Sequence, residues 1–210
     1  TTVPSLEIIV SVASAFPGSD GNYSNEVPSS HFMPLIEAAH EHDLYVIIDL
    51  QPGRTDFLTQ AKLYEDLLRL PYVGLALDPE WRLKPDQVHL RQIGQVEASE
   101  VNQVTEWLAD LTREHNLPQK LFILHSFRTS MVQNVAELDV SRPELAYMMH
   151  VDGQGGHQAK HGTWRVLRDY ASQIPYWGWK NFYDEDVPRM MTPQETMDQV
   201  DPTPLLITYQ

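Results

Sequence analysis

Cysteine is absent from this 210-residue chain. That excludes disulfides, thiolate catalysis, and zinc or iron–sulfur sites held by cysteine. Basic residues are scarce: 15 Lys and Arg stand against 29 Asp and Glu, a net charge of -14. A duplex nucleic-acid partner is therefore not expected, since phosphate neutralisation needs cations in excess. Anionic membrane surfaces are disfavoured for the same reason. No apolar run approaches the ~18–20 residues of a membrane span. Neither GxGxxG nor GxxxxGK[ST] occurs, which argues against Rossmann and P-loop architectures. Internal repeats and low-complexity tracts are missing too. No signal peptide is visible, and the chain opens Thr1-Thr2-Val3-Pro4 without a Met, as a processed or trimmed product does.

What is present is a chain 42% hydrophobic and 10% aromatic, enough for the core of one domain over residues 1–210. Short apolar runs alternate with amphipathic stretches. The runs predict strands at Leu6–Ser14, Tyr45–Gln51, Val73–Glu80, Leu121–Phe127, Leu145–Asp152, Trp177–Tyr183 and Leu205–Tyr209. Several are apolar on both faces, as in Tyr-Val-Ile-Ile-Asp-Leu, the signature of parallel strands covered by helices. Helical periodicity marks Ser30–His42, Asp56–Leu70, Ala98–His115, His157–Tyr170 and Thr192–Val200. The last opens Thr192-Pro193-Gln194-Glu195, an N-cap, an N1 proline and a capping-box acid. The expected fold is α/β, a (β/α)8 TIM-barrel-like domain. It is one strand short of eight, as if an N-terminal strand–helix unit were lacking. The loops Phe16–Pro28 and Asp152–Gly162 are long and rich in Gly, Ser and Asn, a setting for function.

In such a fold the site lies at the C-terminal ends of the strands. Nearly every apolar run here ends in an ionisable or amide side chain. The ends offer Asp49 and Gln51, then Asp78, Glu80 and Trp81, then His125, then His150 and Asp152. The sixth run and its end carry Trp177, Trp179, Lys180, Tyr183 and Asp184, and the seventh ends at Tyr209. Each polar end alone is explained by solvent and turn chemistry; their convergence at one rim is not. Parity places Asp78 and Glu80 on the face of Gly74 and Ala76, away from Leu75 and Leu77. By the same rule Asp49 and Gln51 face with Ile47, His125 with Ile123, and His150 with Asp152.

Carboxylates in one mouth suit glycoside hydrolysis. One acid protonates the leaving oxygen, and the other attacks or activates water. Two strand residues spaced as Asp78 and Glu80 stand ~6.5–7 Å apart along the backbone, and repulsion between them raises one pKa. Glu80 is the expected general acid, Asp78 its orienting partner, and Asp152, Asp49 or Asp184 the second carboxylate. The aromatics Trp81, Trp177, Trp179, Tyr183 and Tyr209 offer stacking faces for sugar, with barrel-top packing as the alternative. Lys180, alone in an apolar run, is expected to face Asp78, Asp152 or Glu80, because a buried ammonium needs a partner.

The stretch Val73-Gly74-Leu75-Ala76-Leu77-Asp78-Pro79-Glu80-Trp81 resembles the acid-bearing strand of TIM-barrel glycoside hydrolases of the chitinase-like and lysozyme-like kinds. The longer chitinase motif, with further Asp and Gly before the Glu, is absent. More broadly, Asp49-Leu50-Gln51-Pro52-Gly53-Arg54, the Asp-Pro-Glu-Trp segment and Trp179-Lys180-Asn181-Phe182-Tyr183-Asp184 resemble an uncharacterised family of actinobacterial exported or cell-surface proteins. That resemblance implies an extracellular or cell-surface setting and supplies no activity; the rim carboxylates are what make a cell-envelope or environmental polysaccharide the expected partner, with no cofactor. Two other readings stand beside it. One is a catalytically silent barrel that binds a glycan or a protein. The other is a metal-dependent phosphodiesterase-like hydrolase using His125, His150, Asp49, Asp78 and Glu80.

Overall fold

The computed structural model describes residues 2–210. Among them are ten strands: β1 (Ser5–Ala13), β2 (Ser24–Glu26), β3 (Tyr45–Leu50), β4 (Val73–Leu77), β5 (Val96–Glu97), β6 (Lys120–Ser126), β7 (Val132–Gln133), β8 (Leu145–Val151), β9 (Tyr176–Asn181) and β10 (Leu206–Tyr209). Six α-helices accompany them: α1 (Ser29–Glu41), α2 (Phe57–Lys62), α3 (Glu65–Leu68), α4 (Ala98–Glu114), α5 (His157–Tyr170) and α6 (Pro193–Gln199). All seven apolar runs are strands, and each predicted helix is present. The Asp56–Leu70 stretch is broken into α2 and α3, and Thr192 with Glu195 forms the capping box that opens α6.

The barrel expected from the strand–helix alternation is not formed. The main sheet has eight strands in the order β10-β9-β8-β6-β4-β3-β1-β2, curled into a half-barrel and parallel except for β2, which runs antiparallel to β1. Among the described residues β10 pairs with neither β1 nor β2, so the edges at β10 and β2 stay open. Two local features oppose closure. The eighth strand is a three-residue hairpin return from β1 and not a βα unit. The connection from β6 to β8 carries 3₁₀ turns and β7, with no α-helix to match its neighbours.

Alternation along the strands sorts the side chains into two layers. Val46, Ile48, Leu50, Leu75, Leu77, Phe122, Leu124, Met149, Val151, Trp177 and Trp179 pack outward with the helices into one core. Ile47, Ala76, Ile123 and Met148 face the hollow and form a small apolar floor. Above that floor, toward the C-terminal ends of the parallel strands, the inward side chains become polar. The curl is strong. Glu7 on β1 and His125 on β6 are separated by β3 and β4, ~14 Å on a flat sheet, yet their side chains meet at 2.9 Å. Two inward glycines make room. A Cβ on Gly74 would lie 2.6 Å from the Leu121 carbonyl oxygen, and one on Gly178 would lie 2.6 Å from the His150 ring.

Candidate functional site

At the C-terminal rim lies a cavity of about 520 Å³. Its walls include Asp49, Gln51, Asp78, Glu80, Trp81, Asp152 and Lys180, seven of the residues singled out from the sequence, together with Phe127, Gln154 and Phe182. Every parallel strand delivers its C-terminal end to this side, where open α/β sheets bind ligands.

The acids reach the cavity by different local routes. β4 stops at Leu77; Asp78 then caps the 3₁₀ turn Pro79–Trp81, its Oδ1 accepting from the Glu80 amide at 3.2 Å. Asp78 and Glu80 are thus not neighbours two apart on one strand, as the sequence suggested. Asp78 is buried beneath the turn and Glu80 rides on it, half-buried at the cavity wall. Pro79 between them fixes the turn's first residue.

Beneath the cavity His125 is buried among acids. Its Nε2 is 2.9 Å from Glu7 Oε1 and 3.9 Å from Asp49 Oδ1, and its Nδ1 is 3.2 Å from Asp152 Oδ2. His150 stands behind it, Nδ1 to Nδ1 at 3.2 Å, with its Nε2 3.1 Å from the Thr208 hydroxyl. Burial alone would strip the proton from His125. Asp49, Glu7 and Asp152 override that and hold its pKa well above the usual imidazole value. His150 goes the other way, pushed down to about 4 by burial and by the charge of His125. The pair therefore consists of an imidazolium and a neutral ring.

That imidazolium divides the carboxylates. Burial opposes ionisation of Glu7, but the charge and hydrogen bond of His125 overcome it and bring it down to about 2. Asp152 is likewise held below its ordinary value by the His125 contact, against the effect of burial. Asp49 is raised to about 7, chiefly by burial. Asp78 is raised well above its ordinary value by burial and then by Asp49. Glu80 is raised by burial and by the negative charge of Asp152. One mouth thus holds carboxyls whose pKa values are pushed in opposite directions, the separation on which acid–base chemistry depends. Asp49 Oδ1 and Asp152 Oδ1 are buried without a hydrogen-bond partner.

Several sequence expectations need correction. Trp177 and Trp179 are not cavity residues: they alternate with Gly178 and Lys180, so parity turns them outward, where both rings pack on Trp164. Tyr183 and Tyr209 pair with each other at the sheet edge, ring centres 6.4 Å apart, outside the cavity lining. Asp184 lies on the exposed loop beside Tyr183 and is no second carboxylate. His125 and His150 are 1% and 0% exposed, so they act beneath the site and do not touch its contents. Gln51 lines the cavity, but its Oε1 already accepts from the Ala13 amide. Lys180 faces the cavity without an ion-pair partner among the described residues; its ammonium lies 5.4 Å from the Phe182 ring centre. The buried, paired lysine is Lys160, whose Nζ meets Asp186 Oδ2 at 2.5 Å.

Glu7 was missed. Its signal is a single charge inside the apolar run Leu6-Glu7-Ile8-Ile9-Val10, but it lies mid-strand, away from the strand ends where polar side chains mark a rim. Glu7, His125 and His150 bring donor atoms within 4.8 Å of one another, a spacing a metal ion could use. Both His125 nitrogens already face carboxylates, and His150 Nε2 is engaged by Thr208, so the arrangement is that of a charged histidine clamped by acids. Compared with models of known families and with curated proteins, the chain matches none. No helix among the described residues is long and apolar enough to cross a membrane.

Proposed function

We propose that the chain is a glycoside hydrolase acting on a cell-envelope or environmental polysaccharide outside the cytoplasm. The observation that carries this reading is the unequal treatment of two carboxyls facing one cavity: Glu80 favoured in its protonated form, Asp152 held ionised by His125. Glu80 donates its proton to the glycosidic oxygen as the bond to the anomeric carbon breaks. Asp152 faces the positive charge that develops on the ring, and either bonds to the anomeric carbon or takes a proton from the attacking water. Asp78, its pKa raised by burial and its carboxyl fixed by the contact with the Glu80 amide, orients the turn that carries the acid. Trp81 supplies an apolar wall beside them.

The test is a panel of plant, fungal and bacterial polysaccharides, with product analysis by NMR to read the anomeric configuration. Turnover should fall by roughly 10²–10⁴-fold in Glu80→Gln, with Asp78→Asn weaker but impaired and circular dichroism unchanged in both. Wild-type turnover retained in both variants would remove the assignment. The pH profile offers a second check. A raised donor loses its proton, and the rate falls, only as the pH climbs above the usual 4.5 of a glutamate; a lowered Asp152 stays ionised to below 3.8.

A further inference from the structure

Two further grooves, of about 480 and 380 Å³, lie beside Trp81. Trp81 lines all three spaces, and Glu80 lines both the main cavity and the smaller groove. The groove beside Glu80 is also bordered by Arg91 and Arg128, and Arg91 reaches the other groove as well. On a chain of net charge -14 this is an unusual place for cations. Arg69, Arg82, Arg113, Arg142 and Arg189 are each engaged by a carboxylate. Arg91 and Arg128 are exposed and, among the described residues, have no ion pair and no side-chain hydrogen bond. Lys180, inside the main cavity, is free in the same sense.

Arg91 is not on an untethered loop. The Gly94 amide donates to the Glu80 carbonyl at 2.7 Å, and a Cβ on Gly94 would lie 2.4 Å from that oxygen. The segment bearing Arg91 is therefore laid directly on the turn bearing the acid. His89, two residues earlier, is held by Tyr23 O at 2.9 Å and packs edge-on to Trp81 at 5.2 Å between ring centres. A guanidinium group matches the planar geometry of carboxylate and related oxyanions, and the backbone that carries Arg91 is held beside the acid.

We infer that the grooves flanking Glu80 bind an anionic glycan, with Arg91 and Arg128 receiving the acidic substituents of sugar units next to the reacting one. The inference rests on the reading of Glu80 as the acid of a glycosidase and adds the substrate's charge. The acid-lined cavity repels an anion, so the reacting unit presents its neutral ring there while its neighbours place their charges on the arginines.

Affinity electrophoresis tests this, with polygalacturonate or its methyl ester in the gel, and dextran sulfate against dextran as a second pair differing in charge. Wild type and Glu80→Gln should both be retarded by an anionic polymer and not by its neutral counterpart, despite the repulsion expected for a chain of this net charge. Preference for polygalacturonate or dextran sulfate then separates carboxylate from sulfate recognition. Arg91→Ala with Arg128→Ala should weaken that binding at least about tenfold, and added salt should weaken it further. Equal retardation by charged and neutral polymers, no retardation by either anionic polymer, or undiminished binding by the double variant would each overturn the inference. Cleavage of a neutral polymer without anionic binding overturns it and leaves the proposed reaction standing. Arginine-dependent binding of polygalacturonate with no cleavage does the reverse. Both arginines are exposed, so the double variant should fold; its melting temperature checks this.

Discussion

Two buried ionic groups stand a few residues apart at the same rim and are built on opposite principles. Asp186 is fully occupied: Oδ1 accepts from the Gly155 amide, and Oδ2 from Lys160 and the Phe182 amide. Lys160 also donates to the Lys180 carbonyl. The pair joins the loop after β8 to the loop after β9 and leaves no polar atom over. The His125 group has the reverse character. Its acids outnumber its cation, two carboxylate oxygens have no partner, and individual carboxyls are driven to different protonation states. A satisfied buried network holds a structure in place. An unsatisfied one is retained at a cost in stability, and the rim of a cavity is where such a cost has a use.

Breaking each group should separate the two roles. The largest effect is expected from Asp152→Asn: roughly 10²–10⁴-fold in turnover, with the melting temperature shifted by under about 4 °C. Asp186→Ala should do the opposite, costing about 3–5 kcal/mol of stability because Lys160 is left buried and unpaired. A denaturant titration reads this directly; a variant as stable as wild type would mean the pair is not structural.

Asp49→Asn sharpens the comparison through pH. Asp49 is raised to about 7 when folded, against 3.8 for the free side chain. Folding therefore carries the cost of its ionisation fully above about pH 7 and not at all below 3.8. The variant should exceed wild type by a few kcal/mol at pH 8, with the gap shrinking as the pH falls toward 4. A constant gap would contradict the assignment. The smallest effect is expected from metal. Adding Zn²⁺ or EDTA should leave the melting temperature within about 1 °C, because His125 is held between carboxylates; a zinc-dependent rise lost in His150→Gln would show that a cation takes the Glu7–His125–His150 cluster.

The sequence made the strands and their inward faces legible because both follow from local alternation. Gly74, Ala76 and Asp78 against Leu75 and Leu77 is enough to orient β4 without knowing its neighbours. Closure of the sheet was not legible, since it depends on whether β10 meets β1, and no periodicity in Leu205–Tyr209 records a partner. Trp177 and Trp179 were misplaced by proximity to a strand end, although parity with Gly178 already turned them outward. Lys180 was correctly turned inward, but the requirement for a buried ion pair belonged to Lys160. That lysine sits on a helix, where an exposed setting is the ordinary expectation.

The contact between Glu7 and His125 spans 118 positions in the chain. Joining such distant segments carries a loop-closure entropy of roughly 4 kcal/mol, so the set of acids around the histidine is complete only after β1 has docked. On its far side the first strand is paired only by the three-residue β2, at Ser11–Ala13, and thinly covered sheet margins are where native proteins open locally before they unfold. Detachment of β1 would remove Glu7 from His125 while β6 and β8 remain paired. Hydrogen exchange at β1 should therefore outpace exchange at β6, and loss of the chemistry on warming should precede loss of the fold.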